Sequence, residues 1–380
     1  MLVRAAATTD VVALACEGLP AATKAPSGIP VFPADAIPRD LDVDRVELLP
    51  CEATTRTAVT AWADGREVVD VHAEPVRAPC RVVAVSAQST GSGKTALSRR
   101  VARSLLRMGK RVAVVRHPLA SLLAWDRFNA SLVRTPPELL GPRPLDEREE
   151  LAPLVGAGIV CATGLDPEGL LRAAARDADV IVWDGGGAAE PWIQPDLHLV
   201  AVDLLRDIPV DREADAYVLT KADSADPDHA REMERRVDGT VVLADLTVGV
   251  QDGQALRDRT VVVVEDWPSL ALGGLSSGAG AVAARRFRCT VVDPRPHAVG
   301  AVLETLARHA HIGDVIPSLG RTPQEIADFA ASVRATPGEV VLWASNADPA
   351  GVIPDEPRPV VRAFGELTEV AGPSLQELLT

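Results

Sequence analysis

The sequence predicts an α/β protein in which a mostly parallel sheet lies between two layers of helices. Seven short apolar runs, rich in valine, alternate with segments long enough to be crossover helices. Continuous apolar runs suit strands that are buried on both faces of a parallel sheet. The runs are Val82–Val85, Val112–Val115, Val180–Trp183, Leu197–Val202, Tyr217–Leu219, Val241–Leu243 and Val261–Val264. They predict a doubly wound, three-layer domain over residues 80–270.

Smaller units are expected on both sides of this domain. Residues 1–79 predict a reduced αβ unit with proline-rich connections, and residues 271–380 predict a C-terminal α/β domain. Capping boxes at Thr322–Glu325 and Ser374–Glu377 predict the starts of two helices in the latter. The polar, proline-bearing stretch Ala124–Pro144 is typical of a lid or an active-site loop.

Composition restricts the classes of partner. The formal net charge of the 380 residues is −14, which argues against duplex DNA or a membrane surface, because both attract a basic field. No apolar run reaches the ~18–20 residues of a membrane-spanning helix. The five cysteines are scattered, as is typical of reduced thiols, so a cytoplasmic location is expected. A homodimer is left open. Only four of the 39 basic residues are lysines.

The strongest local motif is a glycine-rich turn between a predicted strand and a predicted helix. Backbone N–H groups of such a turn point at phosphate oxygens, and the helix dipole favours the negative charge. Lys94 is expected to reach the β- and γ-phosphates, and the Thr95 hydroxyl is expected to bind Mg²⁺. Gln88 stands where the first glycine of the usual pattern would be. The predicted nucleotide-binding residues are Thr90, Gly91, Ser92, Gly93, Lys94 and Thr95.

Acidic residues supply candidate metal ligands. Asp184 ends an apolar strand, in the position of a Walker B aspartate, and is expected to bind the Mg²⁺ of the nucleotide. Gly186, in the glycine run that follows, allows close approach to phosphate. Glu149 is a third candidate ligand. It lies in the acidic run Asp146–Glu150, which is equally typical of a solvated helix start.

A base-recognition motif is expected after the strand Tyr217–Leu219. Thr220–Asp223 resembles the N-K-x-D motif of guanine nucleotide-binding proteins, with Thr in place of the leading Asn. Lys221 would pack along the base and Asp223 would accept its hydrogen bonds, with Asp245 as a second contact. Because the first position differs, the choice between ATP and GTP stays open.

Several clusters are candidates for binding a small anionic substrate. Arg116 and His117 follow the second strand of the domain, at the edge where open α/β folds place ligands. Arg116 is predicted to bind and position substrate, and His117 to transfer a proton or contact phosphate. The glycine-rich turn before a helix at Ala281–Arg286 predicts a second anion site. Its candidate residues are Gly274, Ser277, Gly278, Arg285 and Arg295, the last from the end of the following strand.

Most of the chain resembles the cyclic 2,3-diphosphoglycerate synthetases of bacteria and archaea. The resemblance depends on many spaced motifs in one order, which makes it more specific than the phosphate loop alone. The motifs are Thr90–Thr95, Val114–Pro118, Glu147–Glu150, Trp183–Gly186, Gln194–His198, Lys221–Asp223, Val263–Asp266, Gly273–Gly274, Gly278–Gly280, Ala283–Phe287, Val292–Pro296 and His311–Gly313.

The resemblance implies a P-loop NTPase fold and an ATP-dependent, Mg²⁺-requiring ligase. Enzymes of that family close two phosphates of 2,3-bisphosphoglycerate into a cyclic anhydride. The family also implies a Rossmann-like N-terminal domain. By this comparison the present chain begins within the first helix of that domain. It also has Leu272 in place of a histidine and Gly187–Ala189 in place of asparagines, differences that bear on the substrate.

Two alternatives remain from the sequence. An amide- or lactam-forming ligase would use the same phosphoryl activation of an acidic substrate. A regulatory GTPase, whose partner would be a protein, is favoured by Thr220–Asp223 and disfavoured by the second anion turn and the strand-end arginines.

Overall fold

The computed structural model describes residues 75–116, 130–141, 143–164, 166–185, 190–210 and 213–380, with short pieces of the first 74. Within these ranges the predicted fold class is confirmed, because helices cover both faces of a large, mostly parallel sheet. The strands are β1 Leu2–Arg4, β2 Val11–Cys16, β3 Thr23–Lys24, β4 Pro30–Pro33, β5 Arg45–Leu48, β6 Glu67–Asp70, β7 Arg81–Ala87, β8 Val112–Arg116, β9 Ser131–Val133, β10 Val160–Thr163, β11 Val180–Asp184, β12 Leu197–Asp203, β13 Ala216–Thr220, β14 Thr240–Val250, β15 Thr260–Glu265, β16 Thr290–Val291, β17 Ile316–Pro317, β18 Val340–Trp343 and β19 Val360–Ala371.

The helices of the described ranges follow the predicted alternation, and both predicted capping boxes open a helix. They are α1 Lys94–Arg107, α2 Leu145–Val155, α3 Pro167–Ala175, α4 Pro227–Arg236, α5 Trp267–Ala271, α6 Ala279–Arg286, α7 Gly300–Arg308, α8 Pro323–Ala335 and α9 Leu375–Leu379. Thr322 caps α8, and Ser374 and Glu377 form the reciprocal box of α9. None of the described helices is long and apolar enough to cross a membrane.

The described part of the N-terminal unit differs from the expectation. Strands β1 to β6 form a mixed sheet in the order β3-β4-β2-β1-β5-β6, with both parallel and antiparallel pairs. The chain therefore opens with strands at Leu2–Arg4 and Val11–Cys16, and the prediction that it begins within a helix is wrong. The apolar run of β2, VVALAC, is short and valine-rich, which suits a strand better than a helix.

The first half of the larger sheet carries the glycine-rich turn. Its order is β14-β13-β12-β7-β11-β8-β10-β9, parallel except for β9 at the rim. All seven residues of β12 and all five of β8, β11 and β13 are buried, as the apolar runs predict. Strand β7 lies between β12 and β11, so the turn that follows it opens at the middle of the carboxyl edge.

Two long strands join this half to a second one. Strand β14 continues past the carboxyl edge, where its residues 243–250 pair antiparallel with residues 363–371 of β19. The start of β19 pairs in parallel with β18, which pairs in parallel with β15. Because β14 and β19 run in opposite directions, the strands of the second half point back towards the first. The carboxyl ends of the two sets of parallel strands therefore face each other.

The boundary between the two halves differs from the predicted one at residue 270. The predicted range 80–270 places β15 in the phosphate-loop domain. In the structure β15 pairs with β16, β17 and β18 of the C-terminal half. Helix α9 returns to the first half, where Leu375 and Leu379 join the core beside α1. Periodicity identifies strands but does not identify their partners, which are fixed by non-local packing.

Candidate active site

The glycine-rich turn has the geometry of a phosphate-binding loop. Gly91 and Gly93 adopt positive φ angles of 90° and 87°, which other residues rarely adopt. Gly93 is the N-cap of α1 and no side chain caps the helix there, so a ligand can take its first amides. The Thr220 hydroxyl donates to the Ser92 carbonyl oxygen at 2.8 Å and holds the loop from the end of β13.

Lys94 and Asp184 form a buried ion pair beside this loop. The Lys94 Nζ lies 2.7 Å from Asp184 Oδ1, which also accepts a hydrogen bond from the Ser98 hydroxyl at 2.8 Å. Arg116 donates to Asp184 Oδ2 at 2.6 Å, and all three charged side chains are buried. Burial alone would raise the pKa of Asp184, but the charges of Arg116 and Lys94 outweigh it and hold this pKa at about 2. Asp184 is therefore an anion throughout the physiological pH range.

Glu150, and not Glu149, is the acidic neighbour of Thr95. The Thr95 hydroxyl donates to Glu150 Oε2 at 2.9 Å, and Glu150 Oε1 lies 3.1 Å from Arg116. Successive residues of a helix point about 100° apart, so Glu149 of α2 faces elsewhere. The sequence could not select between them, because every nearby position in the acidic run is a carboxylate or an arginine. Within the described structure, Glu150 and not Glu149 therefore lies beside the hydroxyl predicted to bind Mg²⁺.

The predicted base contacts lie together, and each makes bonds within the protein. Lys221, with a φ of 63°, donates from its Nζ to Asp203 Oδ2 at 2.5 Å. Asp223 Oδ1 accepts from the Leu246 amide at 3.0 Å. Asp245 is half-buried in β14 next to that amide, opposite Thr368 of β19. The motif therefore lies at the edge that carries the phosphate loop.

The glycine-rich turn at residues 273–278 packs against the phosphate loop. A Cβ atom on Gly273 would lie 2.8 Å from the Thr90 carbonyl oxygen, and one on Gly91 would lie 3.0 Å from a Leu275 methyl group. This close approach explains why residues 91 and 273 are glycines, since a larger side chain would clash. Gly274 is exposed and Ser277 is half-buried on this turn, so both lie beside the proposed nucleotide site.

Two elements of the predicted anion site already have acidic partners in the protein. The Gly278 amide and the Ala281 amide at the start of α6 donate to Glu265 Oε1 at 3.0 and 2.9 Å. Arg295 bonds to Asp293, to Asp314 and to the carbonyl oxygens of residues 312 and 313. Arg285 is exposed on α6. The α6 start and Arg295 therefore do not offer a free anion site.

Two predicted residues lie outside the described part of the chain. They are His117 and Gly186, and residues 124–129 and 142 of the predicted lid also lie there. Their roles stay predictions.

A second acidic cluster lies where the carboxyl ends of β15, β17 and β18 face the phosphate loop. Glu149 accepts hydrogen bonds from Ser318 at 2.5 Å and from Ser345. Burial and the charge of Asp266 raise the pKa of Glu149 well above its usual value. Burial likewise raises the pKa of Glu265 to about 7, although the amides of α6 oppose the shift.

Four residues near the loop were missed by the sequence reasoning. Glu150 and Ser98 bond to Thr95 and Asp184 from helices. Arg206 reaches the loop from beyond the end of β12, and Asp203, at that end, pairs with Lys221 of the base motif. Arg206 donates to the Ser89 hydroxyl at 3.0 Å and to the Thr90 carbonyl oxygen at 3.2 Å. Asp203 ends a buried apolar strand as Asp184 does, and this was a usable signal. Nothing in the sequence distinguished Arg206 from other arginines, because arginine is the common basic residue of this chain.

Comparison with known proteins finds a relative that aligns over most of the chain. The chain is 30% identical over 391 residues to the arginine synthetase ArcE of Thermococcus kodakarensis, and the match covers 93% of this chain and 84% of that protein. The chain belongs to the ArcE family. No family model matches it. The named relative is a synthetase, so the expected cyclic 2,3-diphosphoglycerate synthetase activity stays a prediction.

Solved structures show weaker likeness. LpxK from Aquifex aeolicus, crystallised in complex with ATP, has 16% identity and a TM-score of 0.43, with 80% of this chain and 90% of that chain covered. The cell division ATPase MinD from Pyrococcus furiosus has 14% identity and a TM-score of 0.27, with 43% and 83% covered.

Proposed function

We propose that this protein is a Mg²⁺-requiring ligase that uses ATP or GTP to activate an oxygen of a small substrate. The observation that carries the proposal is the buried network of Lys94, Asp184 and Arg116 beside a glycine-rich loop that leads into α1, a helix whose start has no side-chain cap. Membership of a family that contains a synthetase supports a condensing reaction over a regulatory switch.

The network suits a polyphosphate ligand. Lys94 would leave Asp184 for the β- and γ-phosphates, and Arg116 would keep Asp184 compensated. Thr95, Asp184 and Glu150 are oxygen donors of the kind that Mg²⁺ prefers. The described residues hold no group of three or more acidic, His or Cys side chains placed to bind a metal. These residues fit an ion that takes its other ligands from nucleotide phosphates and water, and that neutralises phosphate charge.

The proposed reaction has two steps. A substrate oxygen attacks the γ-phosphorus, a new P–O bond forms, the bond to the bridging β,γ-oxygen breaks, and the nucleoside diphosphate leaves. A nucleophile then attacks the activated atom and expels inorganic phosphate, which either closes a ring or joins two molecules. The protein contributes mainly orientation, for which ~7–11 kcal/mol is available in well-aligned systems.

Phosphate release tests this function. Purified protein should release phosphate slowly from ATP or GTP alone and faster when its substrate is added. Acidic metabolites, including 2,3-bisphosphoglycerate, are therefore screened with each nucleotide. Stimulation by none of them, together with steady hydrolysis of GTP alone, would instead indicate a regulatory GTPase.

Arginine formation is the second candidate, because the matching relative is named an arginine synthetase and aligns over 93% of this chain. Making a guanidinium group from the corresponding urea needs an activated oxygen and a nitrogen nucleophile, which is the same two-step chemistry. Citrulline with ammonium chloride and ATP or GTP should then yield arginine, measured by amino-acid analysis. Phosphate release without arginine would rule out this candidate and retain the general one.

A further inference from the structure

The second acidic cluster lies at the carboxyl edge of the second half, which faces the phosphate-loop edge. Glu149 enters it from α2, and its neighbours Ser318 and Ser345 follow β17 and β18. Asp266, the N-cap of α5, enters from the end of β15. The cluster reaches the phosphate loop through Glu150, which lies next in sequence to Glu149 and accepts from Thr95. A group bound there would lie beside the γ-phosphate of a nucleotide.

One oxygen of Glu149 lacks a donor. Glu149 is only 2% exposed. Both serine hydroxyls donate to Oε1, whereas Oε2 is buried and receives no hydrogen bond from any described residue. A buried carboxylate oxygen without a donor is costly, and native structures rarely retain one without a ligand or a proton.

Asp266 supplies a second carboxyl group at the same place. Asp266 precedes Trp267, whose amide donates to the same Ser318 hydroxyl that bonds Glu149, and the charge of Asp266 acts on Glu149. Neither Glu149 nor Asp266 forms an ion pair with a described Lys, Arg or His. Two carboxyl groups in contact need a proton or another cation between them.

The surroundings disfavour an anion. The α6 amides and Arg295, which could have bound one, are used by Glu265, Asp293 and Asp314. A substrate with several phosphates would meet three carboxyl groups of the opposing cluster. Ammonium groups are attracted to such a site, since they carry a positive charge and N–H donors for carboxylate oxygens.

We propose that Glu149 and Asp266 bind the ammonium form of the nitrogen nucleophile, either free ammonium or the primary ammonium group of a second substrate. This rests on the proposed ligase function and narrows it, because the second step then forms a bond to nitrogen. The bound ammonium first passes one proton to water, which frees the nitrogen lone pair. That lone pair then attacks the activated atom and displaces inorganic phosphate, and the further proton that nitrogen loses also passes to water. Ring closure between two phosphates would not use this site.

Direct binding tests the site without turnover. Crystals of the full chain are soaked in thallium(I) acetate, since Tl⁺ replaces NH₄⁺ and scatters anomalously, and other crystals are soaked in manganese(II) chloride. We expect a Tl⁺ peak between Glu149 Oε2 and Asp266 that competing ammonium chloride removes. A Mn²⁺ peak there without a Tl⁺ peak, or no peak at all, would overturn the assignment. Absence of any NTP-dependent phosphate release would overturn the ligase function and leave the Tl⁺ result standing.

Kinetics gives the second readout once a stimulating substrate is known. In E149Q the KM for ammonium chloride or methylamine should rise at least tenfold while the KM for the nucleotide stays within about twofold. The control is E147Q, on the same helix, where the equally buried carboxylate pairs with Arg143. Melting temperatures confirm that both variants fold. An equal rise in KM for E147Q, or no rise for E149Q, would contradict the site.

Discussion

The two carboxyl edges that face each other differ in how their carboxylates are compensated. On the phosphate-loop side, Asp184 and Glu150 are neutralised by Lys94 and Arg116. On the other side, Glu149, Glu265 and Asp266 have only hydroxyl and amide partners among the described residues. The first edge can therefore exchange a carboxylate for phosphate, whereas the second retains affinity for a cation. In the proposed ligase, the two reactants would therefore lie at opposite carboxyl edges.

Removing the loop lysine should have the largest effect on the first edge. Lys94→Ala should lower NTP-dependent phosphate release by about 10²–10³-fold or more, because a charged donor to the transferred phosphate is lost. Phosphate release is measured at saturating nucleotide, with circular dichroism to confirm folding. The control, Lys110→Ala, removes an exposed lysine beyond α1 and should retain full activity. Equal activity of the two variants would refute the site.

Removing the second cation tests how the first edge is neutralised. Arg116→Met leaves Asp184 and Glu150 with one cation fewer in a buried site, which costs on the order of 3–5 kcal/mol. Urea denaturation measures this loss. Arg111→Met breaks an exposed ion pair with Asp179 and should change stability by less than about 1 kcal/mol. Similar losses in the two variants would show that Arg116 has no special role.

The second edge should make stability fall with rising pH. The folded pKa of Glu265 is raised from 4.5 to about 7, chiefly by burial. The protonated form is thus favoured by folding, and its stabilisation is complete below pH 4.5 and lost as the pH rises through 7. Deprotonation of this group alone should lower the free energy of unfolding by roughly 3 kcal/mol between about pH 5 and about pH 8. Glu265→Gln keeps an acceptor for the α6 amides and should reduce that slope.

The comparison for this slope is Glu304→Gln, which replaces an exposed glutamate of α7. Urea denaturation at several pH values should give it the slope of the unaltered protein. A slope that is unchanged in Glu265→Gln would contradict the burial of an ionisable carboxyl at the second edge.

The smallest effect is expected where the base motif supports the loop. Thr220→Val removes hydrogen bonds to the Ser92 and Val202 carbonyl oxygens, worth about 0.5–1.5 kcal/mol each. Nucleotide affinity, measured by calorimetry, should fall severalfold while the maximal rate changes little. An unaltered affinity would show that the loop does not depend on this contact.

The sequence predicted the first edge better than the second. Lys94, Thr95 and Asp184 belong to contiguous motifs whose strand and helix context is visible in the chain, and the structure brings them together. Glu149 and Glu150 could not be distinguished, because the choice depends on how α2 is oriented between the two halves. The partners of the α6 amides and of Arg295 were also unpredictable, because they are the acidic side chains of Glu265 and Asp314, which lie elsewhere in the chain.

The long-range topology was the other limit. The apolar runs predicted six strands of the first half but missed β9 and β10. Nothing in β14 or β19 indicated that they pair antiparallel beyond the edge. That pairing reverses the second half and makes the two carboxyl edges face each other. The facing of the two carboxyl edges is therefore a consequence of strand pairing, whereas the phosphate loop is a consequence of local sequence.

A crystal structure with Mg²⁺ and the non-hydrolysable analogue of the nucleotide that is turned over tests the central claim most directly. The account predicts that the phosphates contact the amides of residues 91–95, that Lys94 Nζ leaves Asp184 for the β- and γ-phosphates, and that Arg116 stays on Asp184. A nucleotide bound elsewhere, with the 2.7 Å ion pair between Lys94 and Asp184 intact, would contradict it.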